Sequence, residues 1–216
     1  MNLLIIGAPG TGKGTMSNKI IESYNVVHIS TGDMLRESIA NGRPIGLKAQ
    51  EYMNAGKLVP DEIIHGIIVE RLKENDIAQG FLMDGYPRTL DQAKDLTTIL
   101  DECGKKIDLV INLNVDEEIL KERITGRRLC KKCGEIYHIK NKPTKVENIC
   151  DKCGHELSIR KDDTLESLTI RLDEYHNNTQ PVIDYYKEQN LVVDVDASLA
   201  VDKVFEAVST AIESVK

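Results

Sequence analysis

Gly7-Ala8-Pro9-Gly10-Thr11-Gly12-Lys13-Gly14-Thr15 follows a short apolar run at residues 2–6 and opens a stretch, 13–24, that puts Met16, Ile20 and Ile21 on one helical face. A glycine-rich turn between a strand and a helix has an electrostatic consequence. Its successive backbone N–H groups form an anion nest, and the helix N-terminus adds its dipole. Lys13 supplies a mobile positive charge of the kind that reaches the β- and γ-phosphates of a nucleotide. Gly14 stands where Ser or Thr follows the lysine in the general pattern, and Thr15 comes one residue later, which leaves a direct hydroxyl contact to Mg²⁺ in doubt. Side chains near Gly7 and Gly12 are expected to block the approach of backbone to phosphate.

Outward from this turn, residues 26–29 read as a second strand, with Ser30 or Thr31 capping the helix that follows. The pattern from 31 to 75 is helical, broken at Gly42, Pro44 and a turn over 56–60. Ile63, Ile64, Ile67, Ile68 and Leu72 repeat at helical period behind Asp61 as cap. Residues 81–84 form a third strand ending in Gly85-Tyr86-Pro87, 89–102 a helix, 109–113 a fourth strand and 116–125 another helix. After a break at Gly126 a single long helix is expected over 164–190, then a strand over 191–195. A terminal helix carries Val201, Val204, Phe205, Val208, Ala211, Ile212 and Val215 on one stripe. Strands that are nearly continuous apolar runs alternating with helices indicate an α/β fold, a parallel sheet covered on both faces. Asp84, at the end of the third strand, is placed to hold Mg²⁺ directly or through water. There are no internal repeats.

The 216 residues, 41% hydrophobic and 29% charged, suit one large domain carrying a small insertion. A net charge of −7 argues against a surface devoted to nucleic acid or to an anionic membrane. With no Trp and two Phe, a stacking platform for single-stranded nucleic acid is not expected either. No apolar run approaches the ~20 residues of a bilayer span. The first residues lack the basic and then apolar pattern of a secretory signal, so the expected location is cytoplasmic. In that compartment five cysteines are thiols or metal ligands before they are disulfides. Cys130 and Cys133, then Cys150 and Cys153, form two C-x-x-C knuckles 16 residues apart, each followed by Gly. That spacing fits a closed, structural Zn²⁺ site of four thiolates; free thiols, disulfides and an iron–sulfur cluster are the alternatives. Cys103 reads as a helix thiol. The segment 126–163 holds ten Lys/Arg against six Asp/Glu, a balance of +4 that leaves −11 elsewhere, so the ribbon could face a polyphosphate or a duplex.

Several of the nine arginines stand beside these features: Arg36 after Thr31-Gly32-Asp33, Arg88 after Asp84-Gly85-Tyr86-Pro87, Arg123 and Arg127 where the insertion begins, Arg160 and Arg171 at its far side. Bidentate donors in such number suit two nucleotides held phosphate to phosphate. Over its whole length the chain resembles the adenylate kinases, of the long type with a zinc-bearing lid common in bacteria. The motifs are residues 7–15, Thr31-Gly32-Asp33-Met34-Leu35-Arg36, Asp84-Gly85-Tyr86-Pro87-Arg88-Thr89 with Gln92, and Arg160-x-Asp162-Asp163.

The resemblance implies a P-loop NTPase-type five-stranded parallel sheet flanked by helices. Its core is residues 1–29, 60–125 and 164–216, with a small helical AMP-binding unit at 30–59 and a zinc-ribbon lid at 126–163 hinged near Gly126 and Asp163. It implies reversible transfer between Mg·ATP and AMP to give two ADP, in a monomer with no nucleic-acid or membrane partner. Gly10, Thr11, Gly12, Lys13, Gly14 and Thr15 would hold the ATP phosphates, and Arg127, Ile136 and Tyr137 would cover ATP. Leu199 would touch adenine through its backbone. Thr31, Arg36, the backbone of Lys57, Leu58 and Val59, Gly85, Tyr86, Pro87, Arg88 and Gln92 would hold AMP, joined by Arg160 and Arg171. Lys13, Arg88, Arg123, Arg160 and Arg171 would surround the transferring phosphoryl group. Two other functions compete: a nucleoside monophosphate kinase for other bases, against which Thr31, Val59 and Gln92 favour AMP, and a P-loop switch whose zinc ribbon binds nucleic acid. No histidine is given a role.

Overall fold

Side chains of the first strand, β1 (Asn2–Gly7), are sorted by parity: Leu4 and Ile6 enter one apolar cluster, Leu3 and Ile5 another. A strand buried along its whole length has no polar face, so alternate residues must feed two cores. β3 (Phe81–Asp84) repeats the division with Phe81 and Met83 against Leu82, and β4 (Leu109–Asn114) with Val110 against Leu109, Ile111 and Leu113. Together with β2 (Val27–Ser30) and β8 (Val192–Asp196) they form a five-stranded parallel sheet in the order β2-β3-β1-β4-β8. Ile5 pairs with Asp84 on one side and Ile111 on the other, which brings the carboxyl ends of the central strands to one edge. The structure is a computed structural model that describes residues 1–216.

Helices α1 (Lys13–Tyr24) and α9 (Val201–Glu213) cover one face through Met16, Ile20, Val204, Val208 and Ile212. Of the residues expected on the apolar stripe of α9, Val201 is exposed at its start and Val215 lies exposed beyond its end. The other face is covered by α4 (Asp61–Leu72), α5 (Leu90–Glu102) and α8 (Gln180–Lys187), whose Ile68, Leu96 and Tyr186 are fully buried. Ser30 is the cap of α2 (Thr31–Ala40), accepting the Asp33 N–H. Asp61 does not cap α4: Pro60 holds that position without a side-chain bond, and the Asp61 carboxylate turns instead to Gln92.

The single helix expected over 164–190 is three pieces: α7 (Leu165–Glu174), a π-turn (Tyr175–Thr179) and α8. Pro181 supplies the reason. Proline has no N–H, and its ring collides with the carbonyl four residues back in a regular helix. In the π-turn the Gln180 N–H reaches Tyr175 O, five residues back, so the helix widens just ahead of the proline.

Two units stand on this body. α2 and α3 (Pro44–Asn54) cross so closely that a Cβ on Gly46 would overlap the backbone of Ser38 and Ile39. α6 (Glu117–Thr125) leads through Gly126 into an antiparallel sheet of β5 (Arg127–Cys130), β6 (Ile136–His138) and β7 (Leu157–Ser158), ordered β6-β5-β7. No helix is long and apolar enough to cross a membrane.

Candidate active site

The turn between β1 and α1 is built as its sequence requires, though its glycines serve different ends. Gly12 caps α1 at φ 97, a left-handed conformation that side chains disfavour, and no atom lies near its missing Cβ. Gly7 is needed for packing: a Cβ there would fall 2.7 Å from Leu113 O on β4. Gly10 lies against Leu120 and Ile124 of α6. Thr11 closes the loop on Ala8 O, and Lys13 Nζ donates to Gly7 O at 2.6 Å and Ala8 O at 3.0 Å. Burial pushes the Lys13 pKa down to about 8; the charges of Arg88, Arg171 and Arg127 act the same way against the pull of Asp84.

Asp84, whose charge opposes that shift, has its Oδ2 3.5 Å from Ser17 Oγ and 3.9 Å from His28 Nε2. A carboxylate oxygen facing a phosphate cradle is the hard ligand that Mg²⁺ takes directly or through water, so these residues fit that ion. Ser17 is one helical turn past Lys13, a spacing that would have revealed it in the sequence.

Across the cleft, the loop after β3 is tied by its own partners. Gly85 O accepts from Thr31 Oγ1 at 2.9 Å and from Arg88 Nε at 2.8 Å. The Arg88 N–H donates to Gln92 Oε1 at 2.7 Å, and Gln92 Nε2 donates to Asp61 Oδ1 at 2.5 Å. Tyr86 hydroxyl bonds Gln92 O beneath the loop, next to Pro87. Arg36 pairs with Asp33. The loop carrying Lys57, Leu58 and Val59 comes off Gly56, whose absent side chain leaves room for Ser167 and Arg171 of α7.

The remaining arginines converge from four elements. Arg123 donates to Thr11 O at 3.2 Å and Ala197 O at 2.8 Å, which ties α6 to the phosphate loop and to the segment leading to exposed Leu199. Arg127 is paired through two N–H groups with Asp163, whose side chain is wholly buried, and Arg171 with Asp162 at 3.1 Å. Burial, with Arg36 and Arg127 adding repulsion, lowers the Arg160 pKa to about 10. Arg171 falls to about 10 for the same reason, here with Arg127 and Arg88 as the repelling charges. Arg160 Nε is buried without a partner. So many cations in one cleft cost free energy that an anion would relieve.

The three-stranded sheet reaches the turn between β1 and α1: Ile136 Cδ1 is 3.5 Å from the position a Cβ on Gly14 would take. Tyr137 points the other way. It is buried in the lid, where its hydroxyl accepts the Asp151 N–H at 2.9 Å and lies 3.5 Å from Cys150 Sγ. The sulfurs of Cys130, Cys133, Cys150 and Cys153 all lie within 4.8 Å of one another, with contacts of 3.4 and 3.5 Å. Four thiolates at ~2.3 Å from a tetrahedral Zn²⁺ stand ~3.7 Å apart, so this donor set fits zinc. Gly134 and Gly154, at φ 75 and 70, close the knuckles with N–H bonds to Cys130 O and Cys150 O. Cys103 is exposed at the end of α5, apart from the cluster. Sequence reading missed Asp61 as anchor of Gln92, His138 at the lid's base and Thr179 behind Arg88, because each acts through a partner distant in sequence.

The sequence profile described as adenylate kinase matches residues 5–191. The chain is 48% identical over 213 residues to the adenylate kinase of Carboxydothermus hydrogenoformans, covering 99% of this chain and all of that one. It is 48% identical over 216 residues to that of Archaeoglobus fulgidus, with full coverage of both. Against that of Methanosarcina acetivorans it is 50% identical over 206 residues, 95% of each chain. With this match along its length and a glycine-rich strand-to-helix turn beside clustered arginines, the chain belongs to the adenylate kinase family.

Proposed function

We propose that this adenylate kinase catalyses ATP + AMP ⇌ 2 ADP in the cleft between its phosphate loop and the loop after β3. The observation that carries the reading is the convergence of Lys13, Arg36, Arg88, Arg123, Arg127, Arg160 and Arg171 on that cleft, with Arg160 and Arg171 depressed to about 10 and Arg160 Nε unpartnered. Gly10 to Thr15 take the ATP phosphates. Thr31, Arg36, the 57–59 backbone, Gly85 to Arg88 and Gln92 take AMP. An AMP phosphate oxygen is already anionic, so its attack on the γ-phosphorus needs no general base. The new P–O bond forms as the bond to the β,γ-bridging oxygen breaks, and ADP leaves with that electron pair. Lys13, Arg88, Arg123, Arg160 and Arg171 neutralise the charge spread over the equatorial oxygens. Mg²⁺ near Asp84 would neutralise the β- and γ-oxygens.

Water competes with AMP as acceptor. A lid over 126–163 that closes on nucleotide excludes it, with Ile136 over the phosphate loop and Arg127 over ATP. Residues 30–59 close over AMP, and the four-cysteine cluster holds structural zinc. Tyr137 contributes to ATP through backbone alone, since its ring is committed to the cysteine cluster. A cytoplasmic monomer is the state proposed, its −7 charge suiting a freely soluble enzyme.

A coupled assay tests the reading. Purified protein should form ADP from ATP plus AMP, and Lys13→Met should lose most of the turnover. Offered AMP, GMP, CMP and UMP with ATP, it should prefer AMP. Equal use of UMP or CMP would overturn the acceptor assignment while leaving the kinase chemistry standing.

A further inference from the structure

Threonines inside helices ordinarily turn the hydroxyl back to the carbonyl four residues earlier. Thr97, Thr98, Thr125, Thr169 and Thr210 all do so here. Thr179 does not. In the π-turn the carbonyl four residues before it, Tyr175 O, receives the Gln180 N–H. The buried Thr179 hydroxyl donates instead to Arg88 O at 3.0 Å, across to the other side of the cleft floor.

Arg88 is thereby held on three sides. Its N–H goes to Gln92 Oε1 at 2.7 Å, its Nε to Gly85 O at 2.8 Å and its C=O to Thr179. Only the two terminal nitrogens are left without a hydrogen bond from the protein. The helical run that carries Thr179 also carries Arg171, two turns earlier, which pairs with Asp162. One hydroxyl therefore registers the arginine of the AMP loop against the arginine of α7.

We propose that Thr179 is a positioning residue for phosphoryl transfer: its hydroxyl fixes the Arg88 backbone so that the guanidinium meets the transferring group in line with Arg171. This rests on the role given to Arg88 above. Displacement of a charged group by ~1 Å from its working position costs up to about 100-fold in rate, and loss of one of three tethers should cost part of that.

Thr179→Val keeps the shape and removes the hydroxyl; Thr179→Ser keeps the hydroxyl. Steady-state kinetics well below the melting temperature should show kcat down about tenfold and a raised KM for AMP in Thr179→Val, with KM for ATP little changed. Thr179→Ser should restore kcat to near wild type. Full kcat in Thr179→Val, an equal rise in both KM values, or failure of Thr179→Ser to rescue overturns the proposal. Should Thr179→Val not fold, Thr179→Ala carries the same expectations and the same reversals. Arg88→Lys separates the two readings. If it retains full kcat, the role of Arg88 fails. If it is impaired, adding Thr179→Val should cost far less than in the wild-type background, because the tether no longer serves a guanidinium. An undiminished further loss shows that Thr179 acts elsewhere.

Discussion

A lysine enclosed by its own loop is held there at a cost, and that cost has a pH signature. Burial, the largest cause, pushes the Lys13 pKa down from the ordinary 10.5 to about 8. Between those values the unfolded chain binds more protons than the native one, so this group makes stability rise with pH across that window. Activity moves the opposite way. In the role proposed for Lys13 the ATP phosphates meet the ammonium, so kcat/KM for ATP should fall as pH rises through about 8 in the free enzyme. Bound phosphate restores the proton, so kcat should hold to higher pH. In Lys13→Arg, whatever activity remains should lack that limb, because a guanidinium stays charged. Coincident pH profiles for kcat and kcat/KM would refute the assignment. The place of Lys13 at the start of α1 was legible from its motif alone, and so was that of Asp84 at its strand end. The Asp61–Gln92 bond was not, since nothing in a carboxylate at a helix start says that it will reach 31 residues onward in place of capping. Tyr137 makes a related point. Its hydroxyl accepts the Asp151 N–H and lies 3.5 Å from Cys150 Sγ, and toward a Cys150 thiolate, which has no proton, the hydroxyl is the donor. With zinc bound, Tyr137→Phe should release the metal to a chelator faster, by about tenfold or more. An unchanged release rate would separate the hydroxyl from the metal site.

Among the elements, the base of the lid depends on one contact. His138 Nδ1 accepts the N–H groups of Lys140 and Asn141, both at 3.1 Å. Nε2 must therefore carry the hydrogen and donate to Glu122 O in the last turn of α6, at 3.2 Å. The imidazole fits only because residue 126 is glycine: a Cβ there would fall 2.2 Å from its Nε2. Gly126 has an ordinary negative φ, so packing is what requires the glycine. Gly126→Ala should expel the ring at a cost of ~1–3 kcal/mol, in line with other overpacked sites. Melting should fall by roughly 2–4 °C per kcal/mol for a chain of this size. Hydrogen exchange at the Lys140 and Asn141 amides should quicken, and unaltered exchange there would show that the ring tolerates the methyl. Most elements could be placed from period and turn residues, since an apolar strand between glycine-rich turns has few other fates. The π-turn could not. Leu168, Leu172, Thr179, Val182 and Tyr186 keep a helical spacing straight through it, and Pro181 alone signals that the hydrogen bonding must change.

At the scale of the molecule, the body and the lid are stabilised by different means. The body has two aliphatic cores, one on each face of the sheet, as the unbroken apolar run Leu3-Leu4-Ile5-Ile6 led one to expect of a strand covered on both faces. The lid's only cluster is Cys130, Tyr137 and Cys150, with Cys133, Cys153 and Leu157 packed beside it. Without an ion, four sulfurs and one ring bury too little apolar surface to order a segment of this length. Structural zinc in small sites contributes an apparent ~10–16 kcal/mol, enough to replace the missing core. Removal of zinc by a chelator should therefore act on one part of the chain. Limited proteolysis should cut within 126–163, and amide exchange there should rise, while amides of β1, β3 and β4 stay protected at temperatures below the melting of the body. Transfer to AMP should fall with the lid, because Arg127, Ile136 and Arg160 leave with it. Restoring zinc should restore protection and activity together. Two outcomes would reject this division: a lid that stays protected after the metal is gone, which would mean that the thiols suffice, and a single collapse of lid and sheet together, which would mean that the insertion is part of the body's core.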